Sequence, residues 1–314
     1  MNKIAITTTT FGEYDKGPLN LLSRKGFQVI PNPYERKLKK GEVIELCKDA
    51  VGIIAGTETL DADIMETLVN LKVVSRCGTG VDNVALVDAD RIGIKVYNTP
   101  DAPTLAVAEL TVGFMINILR KVSQMENELK AGQWKKRMGN LLCEKRVGIK
   151  GFGRIGKKVA ELLRPFGCEI AYADPFVEDG LLGLQRMSLK DMLCWADIVT
   201  IHVGVHEKLM GEKEFQCMKK GALLINTSRG GVVDESVLYE YLKNGNLSGA
   251  ALDVFEEEPY FGALKELDNV ILTPHIGSYA KEARVEMERL AVENLLKGLK
   301  DINHEDTKAL RKDS

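Results

Sequence analysis

The chain has 314 residues, of which 45% are hydrophobic, so it is long enough to build two hydrophobic cores. Its 43 Lys and Arg residues and 45 Asp and Glu residues leave a net charge of −2, which provides no general attraction for nucleic acid or an anionic membrane. No apolar run approaches the roughly 20 residues of a membrane span, and the six cysteines contain no CxxC pair. We therefore expect a cytoplasmic protein that has no metal site and binds small molecules or other proteins.

The first hundred residues alternate short apolar runs with amphipathic stretches. This alternation predicts a parallel sheet covered by helices. The prolines of the segment 98–103 end the pattern, because proline removes a backbone donor and restricts the residue before it. Strands are predicted at Lys3–Thr7, Phe27–Ile30, Gly52–Ala55, Val73–Ser75 and Lys95–Tyr97, and helices at Gly17–Gly26, Lys40–Ala50, Asp61–Leu71 and Val84–Gly93.

The rest of the chain predicts a second, larger doubly wound sheet. Thr104–Arg120 is apolar on all but a narrow side, so we expect a helix buried between domains or at a subunit interface. A long helix from Ser278 to about Leu299 should cross back to the first domain, and Asp301–Ser314 is predicted to be disordered. The further strands are predicted at Val147–Lys150, Glu169–Ala173, Ile198–His202, Ala222–Thr227, Gly249–Asp253 and Val270–Thr273.

A glycine-rich turn joins the first strand of this second sheet to a helix. In a dinucleotide-binding fold the first glycine, Gly151, makes the turn, and the second, Gly153, lets the backbone approach a pyrophosphate. The third, Gly156, lets the helix pack closely on the strand, with the phosphates at the helix N-terminus. The motif alone could belong to an ordinary strand-to-helix turn.

An acidic residue strengthens the dinucleotide interpretation. Asp174 ends the next predicted strand, 18 residues after Gly156, close to the interval of about 20 expected for a ribose-binding acid. A carboxylate there accepts hydrogen bonds from a ribose 2′-hydroxyl and repels a 2′-phosphate. The predicted cofactor is therefore NAD and not NADP.

Three further strands end in side chains that suit acid–base chemistry. Because ligands bind outside the carboxyl ends of parallel strands, Arg229, Glu258 and His275 should converge on the edge that holds the nucleotide. An arginine fork can bind both oxygens of a carboxylate. Histidine can exchange a proton with a hydroxyl, and a neighbouring glutamate would favour the protonated ring and fix its tautomer.

Each of these residues also has a simpler interpretation. Arg229 could form a surface salt bridge, and Glu258 lies in a run of three acids, which usually marks a solvated face. His275 could belong to the core, although its position between Pro274 and Gly277 favours a loop. His202 also ends a strand, where it would line the cofactor pocket or cap a turn.

Taken together, these motifs resemble the D-isomer-specific 2-hydroxyacid dehydrogenase family, and within it most closely the phosphoglycerate dehydrogenases, in a short form without a regulatory domain. The resemblance runs from about Val73 to Lys281. It implies a flavodoxin-like substrate domain at 1–98 with 279–314 and a Rossmann NAD-binding domain at 99–278, both α/β. The motifs that carry it are Ser75–Val84, Val107–Leu110, Gly151–Gly156, Asn226–Asp234, Ala250–Pro259 and Leu272–Ser278.

The resemblance also implies roles for individual residues. Arg229, Glu258 and His275 would form the catalytic set, and the buried helix after the linker would build a homodimer. The substrate carboxylate would be held by Arg229 and the backbone of Cys77, Gly78, Thr79 and Gly80, and Arg76 is a further candidate for substrate binding. The cofactor would contact Thr79, Gly151, Gly153, Arg154, Ile155, Gly156, Asp174, His202, Val203, Thr227, Ser228, Asp253 and Gly277.

The chain departs from the family in places that affect ligand specificity. Lys150 replaces an aliphatic residue before the first glycine, and the segment 202–207 lacks the usual prolines. Arg76 could bind a substrate phosphate, and so could the basic cluster 135–137, but the segment 55–59 lacks the arginine that the family carries there.

Several functions remain compatible with these residues. A phosphorylated 2-hydroxy acid is the favoured substrate, with a glyoxylate-type or hydroxypyruvate-type acid as the alternative. A non-catalytic, NAD-responsive binding protein would not need the Arg-Glu-His set, and a nucleotide-fold methyltransferase would leave the three strand-end residues without a purpose.

Overall fold

The computed structural model describes the backbone of residues 1–310 and the side chains of residues 1–302. The chain divides into two compact units, Met1–Pro103 with Ser278–Ser314 and Thr104–Gly277. The sequence predicted boundaries after residues 98 and 278. The structure divides the chain after residue 103, five residues later than predicted, and after residue 277, one residue earlier than predicted. None of the helices in the described part of the chain is long and apolar enough to cross a membrane.

The first unit is a five-stranded parallel sheet with helices on both faces. Its strands are β1 Lys3–Ile6, β2 Gln28–Pro31, β3 Ala50–Ala55, β4 Val73–Arg76 and β5 Lys95–Asn98, and its helices are α1 Gly17–Arg24, α2 Lys40–Cys47, α3 Ala62–Thr67, α4 Leu86–Arg91 and the later α11 Lys281–Leu310. The spatial order β2-β1-β3-β4-β5 is the flavodoxin-like order, as predicted.

Alternation along the strands of this unit builds two cores. Ala5 and Ile53 point to the face covered by α2, α3 and α4, whereas Ile4 and Ile54 point to the face covered by α1 and α11. Because successive side chains of a strand point to opposite faces, each strand contributes to both cores.

The second unit is a seven-stranded parallel sheet. Its strands are β6 Arg146–Lys150, β7 Glu169–Ala173, β8 Gln185–Arg186, β9 Ile198–Ile201, β10 Ala222–Asn226, β11 Leu247–Leu252 and β12 Val270–Leu272, and its helices are α5 Thr104–Arg120, α6 Val122–Lys130, α7 Arg154–Leu163, α8 Leu189–Trp195, α9 Glu212–Cys217 and α10 Glu235–Lys243. The spatial order of the strands is β12-β11-β10-β9-β6-β7-β8. From β6 the chain adds strands first on one side, through β7 to β8, and then on the other side, from β9 to β12, which is the arrangement of a Rossmann fold. The two-residue strand β8 was not predicted, because it is too short to show alternation.

The apolar helix α5 is explained mainly by its own unit. Met115 and Leu119 lie in the same core as Val159 and Leu163 of α7. Most of the apolar surface of α5 is therefore explained by this core. The prediction that α5 is buried between domains or at a subunit interface stays a prediction. Leu105 remains 50% exposed.

The end of the chain differs from the prediction. Helix α11 does not stop near Leu299 but continues to Leu310, so the expected disorder of Asp301–Ser314 is wrong for residues 301–310. This stretch is polar, but it contains no proline or glycine that would end a helix. Residues 311–314 lie outside the described part of the chain.

Candidate active site

The three glycines of the turn after β6 have three different surroundings. Gly151 has a φ of 89°, and a Cβ there would lie 2.3 Å from the carbonyl oxygen of His202. A Cβ on Gly156 would lie 2.2 Å from the carbonyl oxygen of Gly151, whereas a Cβ on Gly153 would meet nothing within 4 Å. The first and third glycines are therefore required by packing, and the second faces open space.

The N-terminus of α7 is open to a ligand. Gly153 is its N-cap and offers no side-chain cap, and the first turn contains no acidic residue. Arg154 is exposed, and Ile155 is half-buried against the core of the unit. Unpaired N–H groups at a helix N-terminus favour an anion such as a pyrophosphate.

Asp174 lies beside this turn, at the end of β7. Its Oδ2 accepts a hydrogen bond of 2.7 Å from the backbone N–H of Phe152, and its Oδ1 accepts one of 2.8 Å from that of Phe176. The carboxylate therefore links the glycine turn to the loop after β7. Each oxygen can accept a further bond, so a ribose hydroxyl can still be bound there.

His202, at the end of β9, is a buried residue with protein partners. Its Nε2 lies 2.9 Å from Oγ1 of Thr200, and its Nδ1 lies 3.4 Å from Oγ1 of Thr227. Burial lowers the pKa of His202 to about 3, so the ring is neutral at pH 7. Its backbone carbonyl lies close against Gly151, and the side chain of Val203 packs beside the same glycine.

The loop after β10 holds Arg229. Asn226 organises this loop: its Oδ1 accepts hydrogen bonds from the backbone N–H and hydroxyl of Ser228, and its amide donates to the carbonyl of Arg229. A Cβ on Gly230 would lie 1.8 Å from the carbonyl oxygen of Phe255, so the loops after β10 and β11 are in direct contact. The hydroxyl of Ser228 is thus committed to the protein, and the guanidinium of Arg229 is half-exposed.

His275 and Glu258 form a pair in the same unit. Nδ1 of His275 lies 3.0 Å from Oε2 of Glu258, and the two side chains are 47% and 39% exposed. Oε1 of Glu258 accepts a hydrogen bond of 3.2 Å from the backbone N–H of Phe255. With Nδ1–H donated to the carboxylate, Nε2 of a neutral ring is the free acceptor.

Asp253 holds the loop that carries His275. It is 1% exposed, and burial raises its pKa. Its Oδ1 accepts bonds from the hydroxyl of Thr273 and the N–H of Ile276, and its Oδ2 accepts from the N–H of Gly277. His275 itself has a φ of 55°, a conformation that these bonds help to maintain. The resemblance implied a cofactor contact for Asp253, and this clamping role was missed.

The loop Arg76–Gly80 belongs to the first unit and follows β4. The guanidinium of Arg76 folds back onto the loop, donates to the carbonyl of Cys77, and lies over Gly78. The thiol of Cys77 is buried, which raises its pKa to about 11, so it is protonated at neutral pH. Among the described residues we find no partner for the N–H groups of Thr79 and Gly80.

A buried acid occupies the segment that lacks the family arginine. Glu58 is 1% exposed, and its Oε1 accepts hydrogen bonds from the hydroxyl of Thr7 and the N–H of Gly56. Sequence reasoning missed this contact, because a single glutamate in a polar loop gives no indication of burial. The segment therefore holds a buried carboxyl group where the resemblance would place a cation for a substrate phosphate.

The second unit therefore combines a dinucleotide-type turn with a histidine–carboxylate pair at strand ends. Residues 112–277 match the family model "D-isomer specific 2-hydroxyacid dehydrogenase, NAD binding domain". The chain belongs to the D-isomer-specific 2-hydroxyacid dehydrogenase family. This match confirms the family and the prediction of NAD as cofactor, whereas the preference over NADP and the roles of individual residues remain predictions.

Similar proteins include more than one kind of dehydrogenase. The chain is 39% identical to D-3-phosphoglycerate dehydrogenase of Methanocaldococcus jannaschii, over 84% of this chain and 52% of that protein. It is 35% identical to glyoxylate reductase of Thermococcus litoralis, over 88% of this chain and 90% of that protein. The TT0316 protein of Thermus thermophilus has a similar structure, with a TM-score of 0.88 at 33% identity, over 95% of this chain and 97% of that one. The chain thus spans about half the length of the phosphoglycerate dehydrogenases that it matches.

Proposed function

We propose that the chain is an NAD-dependent dehydrogenase that interconverts a D-2-hydroxy acid and its 2-keto acid, with 3-phosphoglycerate and 3-phosphohydroxypyruvate as the favoured pair. The observation that carries this proposal is the 3.0 Å contact between His275 and Glu258 in the unit that holds the dinucleotide turn. A protein that only senses NAD has no need of such an acid–base pair.

The residues of the second unit fit the cofactor. The open space at Gly153 and the uncapped N-terminus of α7 suit a pyrophosphate, and Asp174 suits the adenosine ribose. When bound, the nicotinamide supplies the hydride acceptor or donor. The buried His202 and Thr227 form part of the wall beside the turn.

Proton transfer is assigned to His275. In oxidation, its Nε2 takes the proton of the substrate C2 hydroxyl, so that a C2=O double bond can form as the C2 hydrogen leaves as hydride, which a bound NAD would accept. Glu258 accepts the Nδ1–H bond and stabilises the resulting imidazolium. Arg229 orients the substrate carboxylate. In reduction every transfer runs in the opposite direction.

A panel of 2-keto acids tests the proposed reaction. Each acid is mixed with the protein and NADH, and oxidation of NADH is followed through the near-ultraviolet absorbance of the reduced nicotinamide, which NAD lacks. We expect turnover of at least one 2-keto acid. Binding of NADH without turnover of any acid in the panel would favour the NAD-responsive binding protein.

We expect the phosphorylated acid to be the better substrate. Its phosphate needs a cation besides Arg229, because an unpaired charge is costly to desolvate. Arg76 is the candidate, so kcat/KM for 3-phosphohydroxypyruvate should exceed that for hydroxypyruvate, and Arg76→Ala should reduce the first more than the second. Equal losses for both substrates would exclude a phosphate role for Arg76.

A glyoxylate-type or hydroxypyruvate-type reductase is the second candidate. It is favoured by Glu58, whose buried carboxylate occupies the segment that lacks a cation. The similarity to a glyoxylate reductase supports the same alternative. Under this alternative, kcat/KM for hydroxypyruvate should exceed kcat/KM for 3-phosphohydroxypyruvate.

The coenzyme preference is tested at Asp174. Asp174→Ala should weaken NADH binding by roughly 1.5–3 kcal/mol, the usual contribution of a charged hydrogen bond. It should also lower the preference for NADH over NADPH, measured as the ratio of the two kcat/KM values. The ratio is the useful quantity, because loosening the turn at Phe152 would weaken both cofactors alike. A wild type that uses NADPH as well as NADH would contradict the assignment.

We also propose that two copies form a dimer. In the stretch 121–141, Trp134 is 81% exposed, Met138 89% and Leu141 69%, which is unusual for large apolar side chains so close together. Sedimentation velocity should give twice the 34.7 kDa of one chain, and Trp134→Glu should shift the protein toward the mass of a single chain.

A cytoplasmic location is proposed as well, supported by the six free cysteines.

A further inference from the structure

One lysine next to the dinucleotide turn is not used by the proposed reaction. Lys150 is the last residue of β6 and stands where the family has an aliphatic side chain. It lies on the sheet face that carries α8, since a Cβ on Gly148, two residues earlier, would meet Met192 of that helix and Ala196, which directly follows it. Its position is therefore fixed by the sheet and not by a mobile loop.

The register neighbours of Lys150 directly precede two residues that are predicted to contact the cofactor. Its register partners are Ala173, which precedes Asp174, and Ile201, which precedes His202. The side chain is half-buried, and we find no hydrogen bond or ion pair of its ammonium group with any described residue. Burial lowers the pKa of Lys150, and the carboxylate of Asp174, one residue beyond the register partner Ala173, opposes this change.

We propose that Lys150 moderates the nucleotide specificity of this site by offsetting the charge of Asp174, so that a 2′-phosphate is rejected less strongly than it would be by the carboxylate alone. This inference rests on the proposed function, because it assumes that the ribose lies at Asp174. Asp174 still makes NADH the preferred cofactor. The lysine moderates this preference, because a cation beside the carboxylate weakens the repulsion felt by a second anion.

Direct binding of the two reduced cofactors tests the proposal. Kd values for NADH and NADPH are measured by fluorescence titration for the wild type, Lys150→Met, Lys150→Arg and Lys220→Met. Methionine keeps the length of the side chain and removes its charge. Lys220 is exposed and lies just before β10, at the amino ends of the strands, whereas Lys150 lies at a carboxyl end. Lys220→Met therefore controls for the change in net charge.

We expect Lys150→Met to raise the ratio of Kd for NADPH to Kd for NADH about tenfold, a size set by one charge at short range. Lys150→Arg should leave the ratio within about twofold of the wild type, and so should Lys220→Met. A purely structural role would change both Kd values together and leave the ratio unchanged, and that result would overturn the proposal. An equal rise in Lys220→Met would overturn it too. A wild type that binds neither cofactor would overturn the proposed function as well, whereas a wild type that binds NADH, with an unchanged ratio in Lys150→Met, overturns only the role of Lys150.

Discussion

His275→Ala is expected to lower kcat for 2-keto acid reduction by roughly 10²- to 10⁴-fold, the usual effect of losing a general acid. The side chain is half-exposed and its loop is held by Asp253, so the substitution should leave the fold and NADH binding intact. Steady-state kinetics together with a fluorescence titration of NADH check this result. Loss of NADH binding in parallel with activity would mean that the histidine supports the cofactor and not the chemistry.

Glu258→Gln tests the same pair through the pH profile. A neutral amide 3.0 Å from Nδ1 no longer stabilises the imidazolium, so the ring loses its proton at a lower pH. Reduction needs the protonated ring, and its activity should therefore disappear at a lower pH than in the wild type. Oxidation needs the neutral ring and should begin at a lower pH. A profile identical to that of the wild type would show that the two residues do not act together.

Arg229→Ala is expected to lower kcat/KM by about 10²- to 10³-fold, because a substrate carboxylate would lose a bidentate, charged partner in a partly desolvated site. Arg229→Lys should recover only part of this loss, since an ammonium group keeps the charge but lacks the planar fork. The measurement is kcat/KM for a 2-keto acid and for the amide of the same acid.

The comparison of acid and amide separates recognition from folding. If Arg229 binds the carboxylate, the preference for the acid should largely disappear in Arg229→Ala. Arg146→Ala serves as a control, because Arg146 is an exposed arginine at the amino end of β6, away from the strand ends that hold the site. An undiminished preference for the acid in Arg229→Ala would assign carboxylate binding to another residue.

The strands and the dinucleotide turn could be predicted because they depend on local sequence. A buried parallel strand requires a short apolar run, and the turn requires glycine where φ is 89° at Gly151 and where a Cβ on Gly156 would meet a carbonyl. The interval to Asp174 follows from the length of one helix and one strand. These requirements leave traces in the sequence that need no knowledge of distant contacts.

Other parts of the site depend on contacts between distant segments. The clamp by Asp253 on residues 273–277 exists because β11 and β12 lie side by side, and nothing in the sequence around Asp253 specifies its partners. Glu58 is buried because β1 and β3 are neighbours and bring Thr7 to its carboxylate. Charged residues in loops are usually solvated, so sequence reasoning assigns such residues to the surface by default.

The discontinuous course of the chain affects its folding during synthesis. Residues 104–277 form one uninterrupted unit, so all of its strands have been synthesised before α11. The first unit has no such advantage: one face of its sheet, including Ile4 and Ile54, is covered by Met287 and Leu295 of α11. Until the last part of the chain emerges, only α1 covers that face, so a chaperone would be most useful to the nascent first unit.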